Sequence, residues 1–185
     1  MTRTIATTAQ QASRQIRDLL QSVLIAELLD PPEHLWLVSA WITDAAVIDN
    51  RGGEFGSLAP SWPEREIVLS EVLAELLAAG TEVIVVTNDD EANRPFAAAL
   101  RAAAARADAA PRLLAQPSGR LTTDRERGLH RKRLVTPRLV LWGSMNFTRA
   151  GIGRNAEDVS LETDPERVAH AVNEMMQLHP ARGGR

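Results

Sequence analysis

The chain has 185 residues, of which 44% are hydrophobic and 24% charged, the make-up of one folded domain and too apolar for a disordered chain. It has no cysteine, which excludes disulfide staples, thiolate zinc sites and cysteine nucleophiles. No apolar run reaches the length of a membrane span and the start lacks a secretory pattern, so a cytoplasmic protein with no membrane contact is expected.

In chain order, Ile16, Leu19, Leu20, Val23, Leu24 and Leu28 recur at three- and four-residue spacing, predicting an amphipathic helix over 7–29 that Pro31-Pro32 ends. Leu35 to Ile42 is apolar on both faces, as in a strand covered by helices. Residues 43–63 carry Gly52-Gly53, Gly56, Pro60 and Pro63 and read as a long loop. A helix from Pro63 to Leu77, a buried strand over Thr81–Thr87 and an alanine-rich helix over 91–109 follow, then a short strand at Arg112–Ala115 and a polar loop over 116–128. His130–Val135 and Arg138–Leu141 read as a hairpin around Thr136-Pro137. A strand over Glu157–Leu161 and a helix over Pro165–Leu178 complete the pattern, the helix start favoured by Asp164 and Glu166. The division expected is an N-terminal helix over 1–30, a domain over 31–179 and a flexible tail over 180–185. The fold class is α/β, a sandwich whose mixed, mostly parallel sheet is flanked by helices.

The net charge of −3 is unevenly placed. Residues 31–60 hold one Arg against four acids and 61–110 four Arg against nine acids, whereas 111–160 hold nine Arg and one Lys against four acids. The ordinary reading is an uneven solvated surface; the functional one is an anion-binding face in the C-terminal half. Lys132 is the single lysine among 21 basic residues. An ammonium is a compact point charge where a guanidinium is a broad fork, so a pocket fitted to one phosphate oxygen distinguishes them.

Strand alternation puts His130, Lys132 and Leu134 on one face and Arg131 and Arg133 on the other. The returning strand delivers Gly143-Ser144-Met145-Asn146, and Asn155-Ala156-Glu157 leads into the next. Gly143 permits close backbone approach, Ser144 and Asn146 offer donors to phosphate oxygens, and Glu157 offers an acceptor that fixes an imidazole tautomer. Other candidates have plainer roles. His34 and His170 read as packing or surface residues, His179 as part of the tail, and Asp89-Asp90-Glu91 as a helix cap. Trp36, Trp41 and Trp142 fall in strands, where packing is the default. Asp44 and Asp49 lack the second carboxylate cluster of a metal nuclease, and no metal site is expected.

His130-x-Lys132, Gly143-Ser144-x-Asn146 and Asn155-x-Glu157, in this order on this strand pattern, resemble the phospholipase D superfamily from the strand at Leu35 to the closing helix. The resemblance implies a phospholipase D-like fold with one motif per chain and phosphodiester hydrolysis with no metal or cofactor. His130 would be nucleophile or acid, Lys132 and Asn146 would hold nonbridging oxygens, Ser144 would assist and Glu157 would orient His130. One motif is half of such a site, so a homodimer with a composite active site is expected. The family pattern carries an Asp where this chain has Pro137, and the hairpin is one residue shorter. A phosphate-binding subunit without turnover is therefore a rival reading.

Single-motif members resemble small dimeric nucleases, and the basic block with no membrane-binding patch favours nucleic acid, DNA first, over a phospholipid or another small phosphodiester. Arg131, Arg133, Arg149 and Arg154 are candidates for backbone contacts, with Arg120, Arg125 and Arg127. Segments 38–44 and 50–55 resemble phospholipase D-like proteins of bacterial anti-phage clusters concerned with 7-deazapurine-modified DNA. That narrower resemblance adds Trp41 and Arg51 as substrate contacts and implies a defence role with other defence proteins as partners.

Overall fold

The structure, a computed structural model, describes residues 2–6, 9–60, 62–106, 121–123 and 129–180. The elements are β1 (Thr2–Ala6), α1 (Ala9–Leu29), β2 (His34–Val38), β3 (Ala46–Asp49), β4 (Glu66–Val68), α2 (Leu69–Ala78), β5 (Glu82–Thr87), α3 (Arg94–Arg106), β6 (Leu121–Thr123), β7 (Arg133–Val135), β8 (Val140–Gly143), α4 (Arg149–Gly153), β9 (Asp158–Glu162) and α5 (Pro165–Leu178). A 3₁₀ turn over Glu91–Asn93 precedes α3. Seven strands form one sheet in the order β1-β9-β8-β7-β2-β5-β6, and β3 pairs with β4 apart from it.

Side-chain alternation along the sheet builds two cores. Leu35, Leu37, Val83, Val85, Leu134 and Leu141 face α1, α2 and α3, meeting Ile16, Leu20, Leu24, Val72, Leu76, Phe96 and Leu100. Trp36, Val38, Ile84, Val86, Val135 and Val140 face α5, meeting Val168, Ala171 and Met175. Central strands apolar on both faces thus report a sheet covered on both sides. The closing helix matches its expected span, with the Asp164 carboxylate accepting the Arg167 N–H at 3.2 Å and Pro165 in its first turn.

Several expectations are corrected. The sheet is mixed but not mostly parallel: β2 pairs in parallel with β5, and β5 with β6, whereas β1–β9, β9–β8, β8–β7 and β7–β2 are antiparallel. The tight β7–β8 hairpin drives this, since a short turn can only reverse the chain. Thr2–Ala6 is an edge strand ahead of the N-terminal helix. That helix forms one layer of the main core, with Ile16, Val23, Leu24 and Leu28 all buried. The long loop contains β3, and the front of the expected second helix is β4; their bulged antiparallel pairing is too short to show as alternation. The expected loop over 116–128 contains β6. The strand expected over Leu35–Ile42 ends at Val38, and that over His130–Val135 begins at Arg133. His179 is buried, its carbonyl accepting the Trp36 indole N–H at 3.0 Å. The strand expected at 112–115 and the end of the alanine-rich helix at 107–109 lie outside the described residues.

The turn between β7 and β8 has no carboxylate of its own, because Pro137 stands there. One arrives from α1. Glu27 is fully buried, and its carboxylate accepts from the Thr136 hydroxyl at 3.1 Å and from the Arg138 guanidinium at 2.5 Å. Thr136 Oγ1 also accepts the Arg138 and Leu139 backbone N–H groups at 3.2 and 3.3 Å. Burial raises the Glu27 pKa above the usual 4.5, and the Arg138 charge opposes that rise. A carboxyl with a raised folded pKa loses stability as pH climbs from its unfolded value through its folded one. Arg138→Ala strands this carboxylate in the core, so it should destabilise the fold by about 3 kcal/mol near neutral pH. The loss should shrink near pH 5, where a carboxylic acid is tolerated neutral; urea unfolding at the two pH values measures the difference, and equal losses would contradict it.

Candidate active site

The strand register gathers the motif residues at one end of the sheet. Val38 at the end of β2 lies opposite Arg133 at the start of β7, Arg133 opposite Trp142, and Gly143 opposite Val159. His130 and Lys132 therefore sit immediately before β7, Ser144 to Asn146 immediately after β8, and Glu157 immediately before β9. All of them are off the ends of strands, where loops carry groups on a rigid frame.

His130 is exposed and Lys132 is buried. The Lys132 ammonium donates to the His130 carbonyl at 2.7 Å and lies 3.2 Å from His130 Nδ1. The two side chains meet as the alternation implied, although neither is within the strand. Lys132 also shares a small cleft with Gly143, Met145 and Phe147, which brings it beneath the Gly-Ser-x-Asn segment. Burial holds its ammonium pKa below the usual 10.5, while the Glu157 carboxylate pulls it upward.

Glu157 accepts a short hydrogen bond from the Ser144 hydroxyl and one from the Asn155 amide at 3.2 Å. Ser144 Oγ in turn accepts the Asp158 N–H at 3.1 Å. The Asn146 amide oxygen accepts the Ser39 hydroxyl at 3.1 Å, so the donor end of the amide is the one not used in that bond. The loop is held close by two glycines. A Cβ on Gly143 would fall on the Asp158 carbonyl oxygen, and one on Gly151 on the Asn146 carbonyl oxygen.

Sequence reasoning missed the supports. Ser39 is fully buried, within reach of the Trp41 carbonyl at 2.9 Å as well as Asn146, and takes the Phe147 N–H at 3.3 Å. Its signal was a hydroxyl interrupting an otherwise apolar run. Asn93 fixes the next residues, donating to the Ala40 carbonyl at 3.0 Å and accepting the Ile42 N–H at 2.9 Å. Asp90 caps the 3₁₀ turn through the Ala92 N–H at 2.9 Å, the role read for 89–91 in the sequence, and in addition accepts the Trp41 indole N–H at 3.0 Å.

The basic candidates divide. Arg131 and Arg133 lie on the opposite sheet face and clamp Glu174 of α5 at 3.0 and 2.6 Å. Arg51 forks onto Asp49 at 2.8 and 2.5 Å beside α1, so its described partner is that acid. Arg149 opens α4 with its guanidinium on the Asp44 carbonyl at 3.2 Å, and Arg154 is exposed at the end of α4, two residues before the Glu157 cluster's Asn155-Ala156 step closes. Asp44 accepts the Ser70 N–H and hydroxyl at 2.9 and 2.8 Å. Trp41, read as packing by default and as a substrate contact by resemblance, is 42% exposed, and Trp142, expected to pack, 48%, whereas Trp36 and Trp62 are buried. Arg120, Arg125 and Arg127 lie outside the described residues. No helix among the described residues is long and apolar enough to cross a membrane.

Two expected outcomes follow from this geometry. Gly143→Ala should cost about 1–3 kcal/mol by overpacking β8 against β9 and weaken phosphate binding through displaced Ser144 and Asn146; unchanged melting and phosphate affinity would disprove the close approach. If Lys132 holds an anion as the motif resemblance implies, only its charged form would do so, and affinity for inorganic phosphate should fall on the alkaline side at a pH below the ordinary 10.5. Isothermal titration across alkaline pH reads this, and a flat profile would contradict it.

No protein-family model and no curated protein sequence matches the chain. Solved structures do. NucT from Helicobacter pylori aligns over 100% of both chains with a TM-score of 0.55 and 10% identity. Nuc from Salmonella typhimurium, a phospholipase D family member, aligns over 100% of this chain and 99% of its own, with a TM-score of 0.53 and 13% identity. The sheet of this chain, with its motif residues collected at one end and helices on both faces, is the phospholipase D fold.

Proposed function

We propose that the chain is a phosphodiesterase of the phospholipase D superfamily that hydrolyses DNA as a homodimer, with no metal or cofactor. The observation that carries this reading is the seat of Lys132. The chain's single lysine is buried against the imidazole of His130, next to the Glu157 carboxylate and under Gly143 and Met145. A buried ammonium beside an exposed imidazole is a costly arrangement with no packing advantage, and it suits a tetrahedral anion.

In this mechanism Nε2 of one His130 attacks phosphorus and the bond from phosphorus to the leaving oxygen breaks. His130 of the partner subunit gives that oxygen its proton. Water, deprotonated by the same group, then displaces the imidazole and regenerates the free enzyme. Lys132 and the Asn146 amide hold the nonbridging oxygens, where charge builds, and Ser144 assists. Glu157, anchored by Asn155, orients His130. One motif per chain supports the dimer, as does Trp142, 48% exposed on the face that α5 only partly covers. Arg149, held at Thr43 and the Asp44 carbonyl, and the exposed Arg154 suit backbone contacts that give affinity without base specificity. A defence role with further protein partners rests on the narrower resemblance of segments 38–44 and 50–55.

Pro137 favours a second reading, a phosphate-binding subunit without turnover. Cleavage of a labelled oligonucleotide in EDTA separates the two, with oligomeric state followed by sedimentation. Wild type should cleave as a dimer, and His130→Ala and Lys132→Ala should each lose at least about 10³-fold in rate while remaining dimeric. Turnover that survives loss of His130 rejects the nucleophile, and binding without turnover in the wild type selects the second reading.

A further inference from the structure

Among the large apolar side chains beside the site, Trp41 is both exposed and rigidly held. Its backbone is fixed on each side by Asn93, through the Ala40 carbonyl at 3.0 Å and the Ile42 N–H at 2.9 Å. Its carbonyl is in reach of the Ser39 hydroxyl, the same hydroxyl that bonds Asn146. Its indole N–H is spent on Asp90 at 3.0 Å, and Asp90 is itself held by the Ala92 N–H at 2.9 Å. The polar edge of the ring is therefore satisfied, the side chain remains 42% exposed, and its position is tied through one serine to the phosphate-binding amide. Holding an apolar ring in water this way carries a hydrophobic cost with no return inside the fold. A rigid indole whose edge is pinned offers its face to a flat partner at little entropic cost.

Charge states which flat partner fits. Asp89, Asp90 and Glu91, all exposed, follow β5 and stand beside Trp41 through the bond of Asp90 to its indole, whereas Arg149 is held by Thr43 and the Asp44 carbonyl, just past Trp41 in the chain. A phosphate chain is repelled from these acids and drawn toward Arg149. The group that reaches Trp41 is then the uncharged base, and the second backbone of a duplex would have to lie against the acids.

Building on the phosphodiesterase reading, we propose that Trp41 is a stacking platform for an unpaired nucleobase adjoining the phosphate held by Lys132 and Asn146, and that the substrate is a single nucleic acid strand. Stacking on one aromatic side chain is tolerant of base identity and strong enough to shift affinity about tenfold or more.

The test uses His130→Ala protein, so that binding is read whether or not the chain turns over. Fluorescence anisotropy at one fixed salt concentration compares three labelled probes of about 12 nucleotides, a length within the range of single-strand binding sites: oligothymidine, an abasic deoxyribose phosphate chain and a duplex. Oligothymidine should bind about tenfold tighter than the abasic chain and tighter than the duplex. Trp41→Leu should erase most of the thymidine-to-abasic ratio, and Trp41→Phe, which keeps an aromatic face, should retain most of it. A ratio unchanged in Trp41→Leu, or a duplex bound as tightly as the single strand, overturns the platform while leaving the phosphate site standing. Failure to bind any of the probes overturns the nucleic acid reading and this proposal with it.

Discussion

The antiparallel insertion of β7 between β2 and β8 is the constraint on which the rest of the molecule depends. Three residues of β7 fix two registers at once, with Val38 opposite Arg133 on one side and Trp142 opposite Arg133 on the other. A slip of one residue would turn Leu134 away from the α1 and α2 core and Val135 away from α5. It would also exchange Lys132 for an arginine at the cleft beside Gly143. The sheet core and the chemical end are therefore set by one pairing, and the pairing is in turn held at its far end by the turn from Thr136 to Leu139.

That turn shows how a buried charge is balanced from two distant parts of the chain. Pro137 gives the turn no carboxylate, and Glu27 projects a buried one from α1 onto Thr136 and Arg138. The cation that balances Glu27 is supplied by the residue directly after the proline. The charge network joins a helix and a hairpin more than 100 residues apart. The arrangement keeps a polar anchor in a region where an unpaired charge would be costly.

The helices and the buried strands were legible because their apolar spacing is strong: the closing helix and the strand over Glu82–Thr87 stand where periodicity put them. The small strands were not. β3, β4 and β6 have three or four residues each, too few for a period of two to emerge among the glycines and prolines around them. At the site, the contact between His130 and Lys132 followed from alternation alone, even though both residues precede the strand that was expected to hold them. The same alternation sends Arg131 and Arg133 to the opposite face, and what it does not reveal is Glu174, a single acid on α5 that collects both guanidiniums. A count of basic residues in sequence cannot distinguish arginines that await a ligand from arginines that already have a partner. The capping role of Asp90 was legible, but its bond to Trp41, like the roles of Ser39 and Asn93, was hidden for a related reason: each bonds a backbone or a neighbour brought near only by folding.

The seat of Lys132 has a consequence for labelling chemistry. Apart from the amino terminus, the ε-amine of this residue is the only primary amine the chain possesses, and burial leaves a larger share of it uncharged than an exposed lysine would have. Acylating and imine-forming reagents, which scatter over the surface of most proteins, would here mark the neighbourhood of one imidazole, so that a mass increment on a single peptide becomes a direct report of whether an anion is shielding it.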